Sequence, residues 1–233
     1  MAARAISIRQ REGVTLHGQN MKTIAGFLCF FFLAANLLAQ DARSNRQEIA
    51  RDPSQDFVAR SLKKGTWELG IMGGGGSGLG KSDNAQFMYA GGRAGRILTA
   101  DHLSGPFRGN FEWAVEALPV FTVFPPAHAV YGGSFKPVIW QWNFTSHRKF
   151  VPYAAVAGGI LFTRQNIPPG NTSRVNFTPQ GTFGMQIFSR PGGALRLEIS
   201  AVHISNASLG AHNPGYNGSI FFTIGYSWFK TPR

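Results

Sequence analysis

The chain has 233 residues, of which 43 % are hydrophobic and 15 % charged, and its net charge is +12. This composition is too apolar for a disordered protein. Its 29 glycines and 20 phenylalanines favour β-structure with tight turns over a helical bundle. The basic residues are scattered in runs no longer than Lys63-Lys64, so the sequence offers no basic stripe for nucleic acid. The positive charge fits attraction to an anionic membrane surface instead.

Residues 21–40 have the pattern that is typical of a secretory signal peptide. A single lysine precedes an apolar run that ends in small residues, and we expect cleavage at its end. Residues 1–20 are polar and basic and do not fit ahead of such a signal, so we expect the protein to start at Met21 and not with this N-terminal extension. The alternative is a membrane anchor at 25–39, but that run is short for a membrane-spanning helix. The only cysteine, Cys29, lies in this segment, so we expect no disulfide and no thiol nucleophile in the exported chain.

After the signal, residues 41–65 are polar and without clear periodicity, which predicts a periplasmic tail. From residue 66 onward, alternating strand-like segments recur between turn sequences rich in glycine, proline and asparagine. The eight segments are 66–74, 85–99, 107–123, 129–144, 150–163, 174–189, 194–206 and 217–229. An even number of antiparallel strands closes with both termini on one side. We therefore predict that residues 66–233 form an all-β, eight-stranded antiparallel outer-membrane β-barrel.

The last segment shows how the two faces of such a strand differ. Its large apolar side chains share one face, and they are Ile220, Phe222, Ile224, Tyr226 and Trp228. The other face carries small and polar residues, with Phe221 and Phe229 as exceptions. This contrast suits a strand between lipid and a polar interior. A soluble β-sandwich shows similar alternation and is the alternative, but the export signal favours the membrane.

Residues 75–82, Gly-Gly-Ser-Gly-Leu-Gly-Lys-Ser, match the phosphate-binding loop pattern GxxxxGK[ST]. Such a loop needs a helix directly after it, and glycines at positions 91, 92 and 95 disfavour a helix there. We find no later apolar strand that ends in an aspartate suited to hold magnesium. We therefore interpret 75–82 as a flexible external loop and expect no nucleotide binding.

The segment 194–206 ends in two polar residues on an otherwise apolar face. Its alternation places His203 and Ser205 with the apolar side chains, and Arg196 on the opposite face. Residues two positions apart on a strand are neighbours, so the imidazole is placed to take a proton from the hydroxyl. Asn206 or a nearby backbone N–H group is the candidate to stabilise an oxyanion. The alternative is that these are polar rim residues without a catalytic role.

The string His203-Ile-Ser205-Asn206-Ala207, followed by Asn213-Pro-Gly and a final aromatic strand, resembles the lipid A 3-O-deacylase (PagL-type) family of acyloxyacyl hydrolases. The resemblance implies an outer-membrane barrel that removes the ester-linked acyl chain at the 3-position of lipid A. It implies Ser205 as the nucleophile, His203 as the base and Asn206 as an oxyanion-hole contributor. The expected partner is lipid A of lipopolysaccharide in the outer leaflet, and no metal or organic cofactor is expected.

The family pattern has a glutamate twelve residues after the serine, and this chain has Asn217 there. An amide orients an imidazole, but it does not stabilise imidazolium by charge, and loss of a triad carboxylate is costly. Strict alternation also separates Asn217 from the lipid-facing side chains of its strand unless Gly218 carries a β-bulge. Two alternatives to an active esterase stay open. One is a catalytically impaired or non-enzymatic barrel of the same family, and the other is a small passive barrel or adhesin.

Three cations, Lys81, Arg164 and Arg174, are predicted to lie in external loops. Because lipid A carries phosphates and such side chains bind phosphate groups, they are candidate substrate contacts. Their alternative interpretation is as ordinary solvated loop charges. The sequence does not indicate an oligomeric state.

Overall fold

Segments of alternating residue type form nine β-strands over the part of the chain that the structure describes. The computed structural model describes residues 56–80, 85–125, 128–147 and 149–232, except for the side chain of Asn217. The predicted signal and most of the predicted tail lie outside these residues. The strands are β1 (Trp67–Gly78), β2 (Gln86–Ile97), β3 (Gly109–Phe124), β4 (Val130–Phe144), β5 (Phe150–Ile167), β6 (Ser173–Phe177), β7 (Gln180–Arg190), β8 (Gly193–Ile204) and β9 (Tyr216–Lys230).

Two helical elements with both ends in the described part of the chain accompany the strands. Helix α1 (Phe57–Ser61) precedes β1, and a 3₁₀ turn (Gly105–Phe107) lies between β2 and β3. Neither has the length and apolar character needed to span a membrane, and the same holds for every helix in the described residues.

The strands close into an antiparallel barrel with eight positions. Their order is β4-β3-β2-β1-β9-β8-β7-β5, and β4 pairs with β5 to complete the ring. β6 and β7 both pair with β5 and follow one another along a single position. They are separated at Pro179, which has no N–H to donate to the ladder. The predicted eight-stranded barrel is confirmed, and each predicted segment overlaps one position of the ring.

The glycine-rich segment that matches the phosphate-binding loop pattern is largely strand. β1 continues to Gly78 and pairs with both β2 and β9, so the prediction of a loop from residue 75 was wrong. A Cβ on Gly76 would lie 2.2 Å from Cδ1 of Phe221, and one on Gly74 would lie 2.1 Å from the carbonyl oxygen of Phe222. Glycine is required here because neighbouring groups approach the β1 backbone closely.

The outer wall of the barrel is apolar. In β9 the predicted lipid-facing residues Phe222, Ile224 and Trp228 are exposed, whereas the two exceptions, Phe221 and Phe229, are buried inside. Similar exposed side chains on other strands include Leu69, Ile71, Met88, Val156 and Phe183. All five tryptophans lie in the half of the wall nearest the termini, and they are Trp67, Trp113, Trp140, Trp142 and Trp228. An aromatic belt of this kind is typical of a membrane interface.

A buried ion network fills the middle of the barrel. Glu68 pairs with Arg93 at 2.9 Å and with Arg196 at 3.0 Å. Arg93 also pairs with Glu116 at 3.1 Å, and Lys136 pairs with the other oxygen of Glu116 at 2.9 Å. Buried charges are tolerated when they are paired and hydrogen-bonded in this way. The network therefore joins strands on opposite sides of the ring through its centre.

The end of the barrel that carries both termini, which we call the terminal end, is closed by α1. The Asp56 carboxylate caps this helix by accepting a hydrogen bond from the N–H of Ala59 at 2.8 Å. Val58 and Leu62 are buried together with Phe229 and other apolar residues of the barrel. The sequence predicted a polar tail through residue 65. The structure instead folds this stretch into the barrel because its two apolar residues, four positions apart, share one face.

The ion network generates a prediction about stability. Replacing Arg93 by methionine leaves carboxylates buried without their partner, so we expect the free energy of unfolding to fall by about 3–5 kcal/mol. Urea unfolding of the protein in detergent micelles, followed by gel mobility without heating, measures this loss. The control is Arg96→Met on the same strand, where the guanidinium is exposed and lies 5.2 Å from the centre of the Trp67 ring. Equal losses from both variants would contradict the proposed importance of the network.

Candidate active site

His203 and Ser205 lie on the outer wall at the end of β8 that is far from the termini. Their neighbours Val202 and Ile204 are 4 % and 1 % exposed and belong to the apolar cluster inside the barrel. His203 and Ser205 are partly exposed, as is the outward-facing Ala201. The structure thus brings the histidine and the serine onto the lipid-facing side, as the alternation predicts.

The extended backbone continues beyond β8 as far as Ser205. Ser205 exchanges two backbone hydrogen bonds with Phe177 of β6, at 2.7 and 3.1 Å, and the N–H of His203 donates to the carbonyl of Pro179 at 3.0 Å. Positions 203 and 205 are therefore consecutive on one face of a pleated segment, where Cα atoms are about 6–7 Å apart. Phe177 is the direct neighbour of Ser205 on the adjoining strand.

A tight turn follows Ser205 directly. The N–H of Leu209 donates to the carbonyl of Asn206 at 2.9 Å, and Ala207 and Ser208 have φ values of +47° and +66°. Two consecutive left-handed residues are typical of a type I′ turn, in which glycine or asparagine is usual. Alanine and serine here each cost about 1–2 kcal/mol of backbone strain. Such strain is concentrated at functional sites in proteins.

The loop after this turn is held by the side chain of Asn206. Its Nδ2 donates to the carbonyl of His212 at 2.9 Å, and its Oδ1 accepts from the N–H of Ser208 at 3.0 Å. Asn206 is only 2 % exposed. The predicted part of Asn206 in an oxyanion hole stays a prediction, because its Nδ2 carries two N–H groups and the bond to His212 uses one of them. The two hydrogen bonds of the side chain hold the segment that follows the serine.

Asn213 also belongs to the site, although the sequence did not predict a role for it. Its Oδ1 accepts a hydrogen bond from the N–H of Asn206 at 3.1 Å. The N–H of His212 next to it donates to the carbonyl of Asn171 at 2.9 Å, which joins this loop to the β5–β6 connection. The signal was present in the Asn-Pro-Gly sequence, because asparagine side chains commonly bond to nearby backbone in turns.

β9 carries a bulge opposite His203. Val202 pairs with Ser219 and Ile204 pairs with Tyr216, so one residue of β8 faces two residues of β9, at positions 217 and 218. An extra residue on one strand is the definition of a β-bulge. The bulge breaks the strict alternation that separates residue 217 from the lipid-facing positions. The backbone therefore has the β-bulge at Gly218 without which strict alternation would separate residue 217 from the lipid-facing side chains.

A shallow groove of about 520 Å³ opens on the wall beside His203. It is lined by small and apolar residues of four strands and of the segment after β1, including Leu79, Val156, Gly181, Ala201 and Ile220. Gly181 lies between Val156 and Ala201 in the ladder, and a Cβ there would meet open space. The groove has the size of ligand sites in general, and its lining suits an alkyl chain.

The three cations that were predicted to bind phosphate from external loops do not all lie in loops. Lys81 lies outside the described residues. Arg164 belongs to β5 and Arg174 to β6, so these two cations lie on strands rather than in loops, and both are exposed. Oγ1 of Thr163 donates to the carbonyl of Arg174 at 3.2 Å. Their position near the β6 residue that faces Ser205 puts them at the same end of the barrel as the site.

The contacts of Asn206 generate a prediction about the loop. Asn206→Ala removes both side-chain hydrogen bonds, worth about 1–3 kcal/mol for a buried group, so we expect the Ser208 amide to exchange with solvent roughly tenfold faster or more. Hydrogen exchange in micelles measures this change. The control is His212→Ala, since the loop uses only the backbone of His212. Comparable acceleration by the two variants would argue against Asn206 as the organising side chain.

Comparisons with known proteins add to this geometry. Residues 84–227 match the family model described as lipid A 3-O-deacylase (PagL). The fold is similar to the crystal structure of the outer membrane enzyme PagL, at 15 % identity, TM-score 0.44, and coverage of 71 % of this chain and 99 % of that chain. It is also similar to the N-terminal β-barrel domain of Pseudomonas aeruginosa OprF, at 12 % identity, TM-score 0.47, and coverage of 72 % and 98 %.

A third similar structure is the outer membrane protein OprG from Pseudomonas aeruginosa, at 10 % identity, TM-score 0.47, and coverage of 74 % and 99 %. No curated protein sequence matches the chain. The family model spans more than half of the 233 residues. The chain therefore belongs to the lipid A 3-O-deacylase (PagL) family, whose barrels reside in the bacterial outer membrane.

Proposed function

We propose that this protein is a serine esterase that removes the ester-linked acyl chain at the 3-position of lipid A. The observation that carries the proposal is the pair His203 and Ser205 on the lipid-facing wall, beside a groove lined for an alkyl chain. A site inside the barrel would be closed to a lipid, whereas a site on the wall is open to one from the side. The membership of the PagL family supports the same substrate class.

In the proposed reaction, His203 accepts the proton of the Ser205 hydroxyl as its oxygen attacks the ester carbonyl. The resulting tetrahedral intermediate collapses, the sugar hydroxyl leaves with a proton from His203, and the acyl chain stays on Ser205. Water then attacks this acyl-enzyme while His203 accepts its proton. The second tetrahedral intermediate collapses, His203 returns the proton to the oxygen of Ser205, and the free fatty acid is released. Every atom and proton comes from the ester, water and these two side chains, so the reaction needs no added cofactor.

The tetrahedral oxyanion needs hydrogen-bond donors. The candidates for this part are the second N–H of the Asn206 Nδ2, beside the one that donates to His212, and the backbone N–H of Ala207. Among the described residues of the turn, the N–H groups of Asn206, Ser208 and Leu209 all have partners, whereas that of Ala207 has none. Among the backbone groups, the strained turn thus leaves the N–H of Ala207, two residues after the nucleophile, to bind the substrate oxyanion.

The substrate is proposed to approach within the outer leaflet. In outer-membrane barrels the short turns face the periplasm and the longer loops face outward, so the end far from the termini is external. The acyl chain would lie in the groove along Gly181 and Ala201, with its ester beside Ser205. Arg164 and Arg174 at the same end are then candidates to bind the lipid A phosphates.

Residue 217 is proposed to orient His203 from the neighbouring strand. The β-bulge at 217 and 218 brings this backbone opposite His203, and an asparagine amide holds an imidazole through a hydrogen bond. It lacks the charge that stabilises imidazolium, so the rate is expected to lie below that of a barrel with a carboxylate there.

The central test replaces each reacting group. We expect Ser205→Ala and His203→Ala to abolish the loss of one hydroxyacyl chain from lipid A when the purified protein is incubated with lipopolysaccharide in detergent and the products are weighed by mass spectrometry. The matched control is Ser208→Ala, which removes a hydroxyl three residues away and is expected to retain activity. An unchanged lipid A mass with the unaltered protein would favour a non-enzymatic barrel of the same family.

A second test addresses position 217. Asn217→Glu supplies the carboxylate that the family pattern has at this position. In the proposed arrangement the negative charge stabilises the protonated histidine, so we expect the deacylation rate to rise by roughly tenfold or more. The matched control is Asn217→Gln, which has the length of glutamate without its charge. A gain with glutamine equal to that with glutamate, or no gain with either, would refute the charge argument.

A further inference from the structure

The terminal end of the barrel carries an apolar notch that plays no part in the proposed reaction. It has a volume of about 500 Å³ and is lined by Thr99, His102, Leu103, Phe111 and Trp142. Phe111 and Trp142 form its wall on the barrel side, with ring centres 4.7 Å apart in an edge-on contact. The outer lip is the connection between β2 and β3, residues 98–108.

This connection is a built structure and not a loose turn. The carboxylate of Asp101 accepts hydrogen bonds from Arg108 at 2.9 Å, Asn110 at 3.0 Å and Thr145 at 2.8 Å. His102 exchanges two backbone hydrogen bonds with the first residue of β3. The next turn along the barrel also supports it, because the hydroxyl of Ser146 donates to a carbonyl of the 3₁₀ turn at 2.6 Å.

The polar contacts hold two large apolar side chains outward. Leu103 is 72 % exposed and has a φ of +63°, a conformation that leucine rarely adopts. Phe107 is 65 % exposed. If this turn faced water, its two large apolar side chains would be exposed and would bury no apolar surface against another group. Strain that directs a leucine outward indicates a contact that covers it.

The position of the notch identifies its occupant as lipid. Trp142 belongs to the aromatic belt of the outer wall, and Phe111 is exposed in contact with it, so the notch continues the surface of the wall that faces the membrane. The terminal end is also basic, with exposed Lys63, Lys64, Arg96, Arg108, Lys149, Arg190 and Lys230. Among the described residues of this end, Glu68 and Glu112 are buried inside the barrel. The acids that reach the surface are Asp56 and Asp101, and both already accept hydrogen bonds. A basic rim above an apolar notch fits an anionic phospholipid.

We propose that the notch binds an anionic glycerophospholipid of the periplasmic leaflet. One acyl chain lies against Leu103, Phe111 and Trp142, and the headgroup phosphate lies beside His102 and the half-exposed guanidinium of Arg108. The turn at 98–108 is in this way a membrane anchor that fixes the depth of the barrel from the side opposite to Ser205.

The first test measures the depth of the turn. In a Cys29→Ser background of the full chain, Leu103→Cys carries a nitroxide in vesicles that contain phosphatidylglycerol. We expect high accessibility to oxygen and low accessibility to a nickel chelate, as for a site in the acyl region. Lys64→Cys at the same end is the control and is expected to be open to nickel. Equal nickel accessibility at both positions would overturn the proposal. The proposal would also be overturned if the nitroxide at position 103 became inaccessible to nickel only when periplasmic proteins were added.

The second test measures lipid binding directly. We expect Leu103→Asp to reduce phosphatidylglycerol retained in native mass spectra by roughly tenfold, the effect of losing one buried leucine contact. Ser104→Asp adds the same charge to the next residue and is expected to retain the lipid. Aspartate adopts the left-handed conformation more readily than leucine, so the turn is kept. Equal retention by the two variants would refute the notch as a lipid site, and neither test depends on deacylation.

Discussion

Inside the barrel, the carboxylate of Glu68 joins the guanidinium groups of Arg93 and Arg196 across three strands. Moving these charges to the lipid side would cost several kilocalories per mole for each group. Because side chains alternate along a strand, a slip of one residue would exchange the two faces completely. The buried charges therefore exclude a one-residue slip of β1, β2 or β8. The outward direction of His203 and Ser205 follows from the inward direction of Arg196, seven and nine residues before them.

The proposed site begins where regular pairing ends. A bulge in β9 faces His203, and a left-handed turn at Ala207 follows the serine. Beneath them, Val202, Ile204 and Phe221 belong to the apolar cluster that fills the far end of the barrel. Irregular backbone thus rests on a densely packed support, which is how a strained site keeps its geometry. The loop hydrogen bonds of Asn206 extend that support to the segment after the nucleophile.

In the two proposals, the two ends of the wall bind different lipids of the same membrane. The far end combines the proposed reacting groups with a groove lined by Gly181 and Ala201, as an outer-leaflet ester requires. The terminal end combines a tryptophan belt, a basic rim and the notch at Leu103, as a phospholipid surface requires. The two proposed lipid sites are linked by the depth of the barrel in the membrane. The position of Ser205 relative to the lipid A ester depends on how the opposite end of the barrel is anchored.

The sequence by itself determined the eight strand positions and the lipid-facing side of His203 and Ser205, because strand alternation has a period of two residues and is independent of distant neighbours. It did not predict that β1 continues through Gly76, that Val58 folds into the barrel, or that Asn206 holds its loop. The first two depend on contacts between separate segments, with Phe221 and Phe229 respectively. The third depends on contacts across the loop between β8 and β9, with Ser208 and His212. Only the folded structure decided them, because the contacts with Phe221 and Phe229 form once the barrel closes, and the pairing of β8 with β9 holds the ends of the loop.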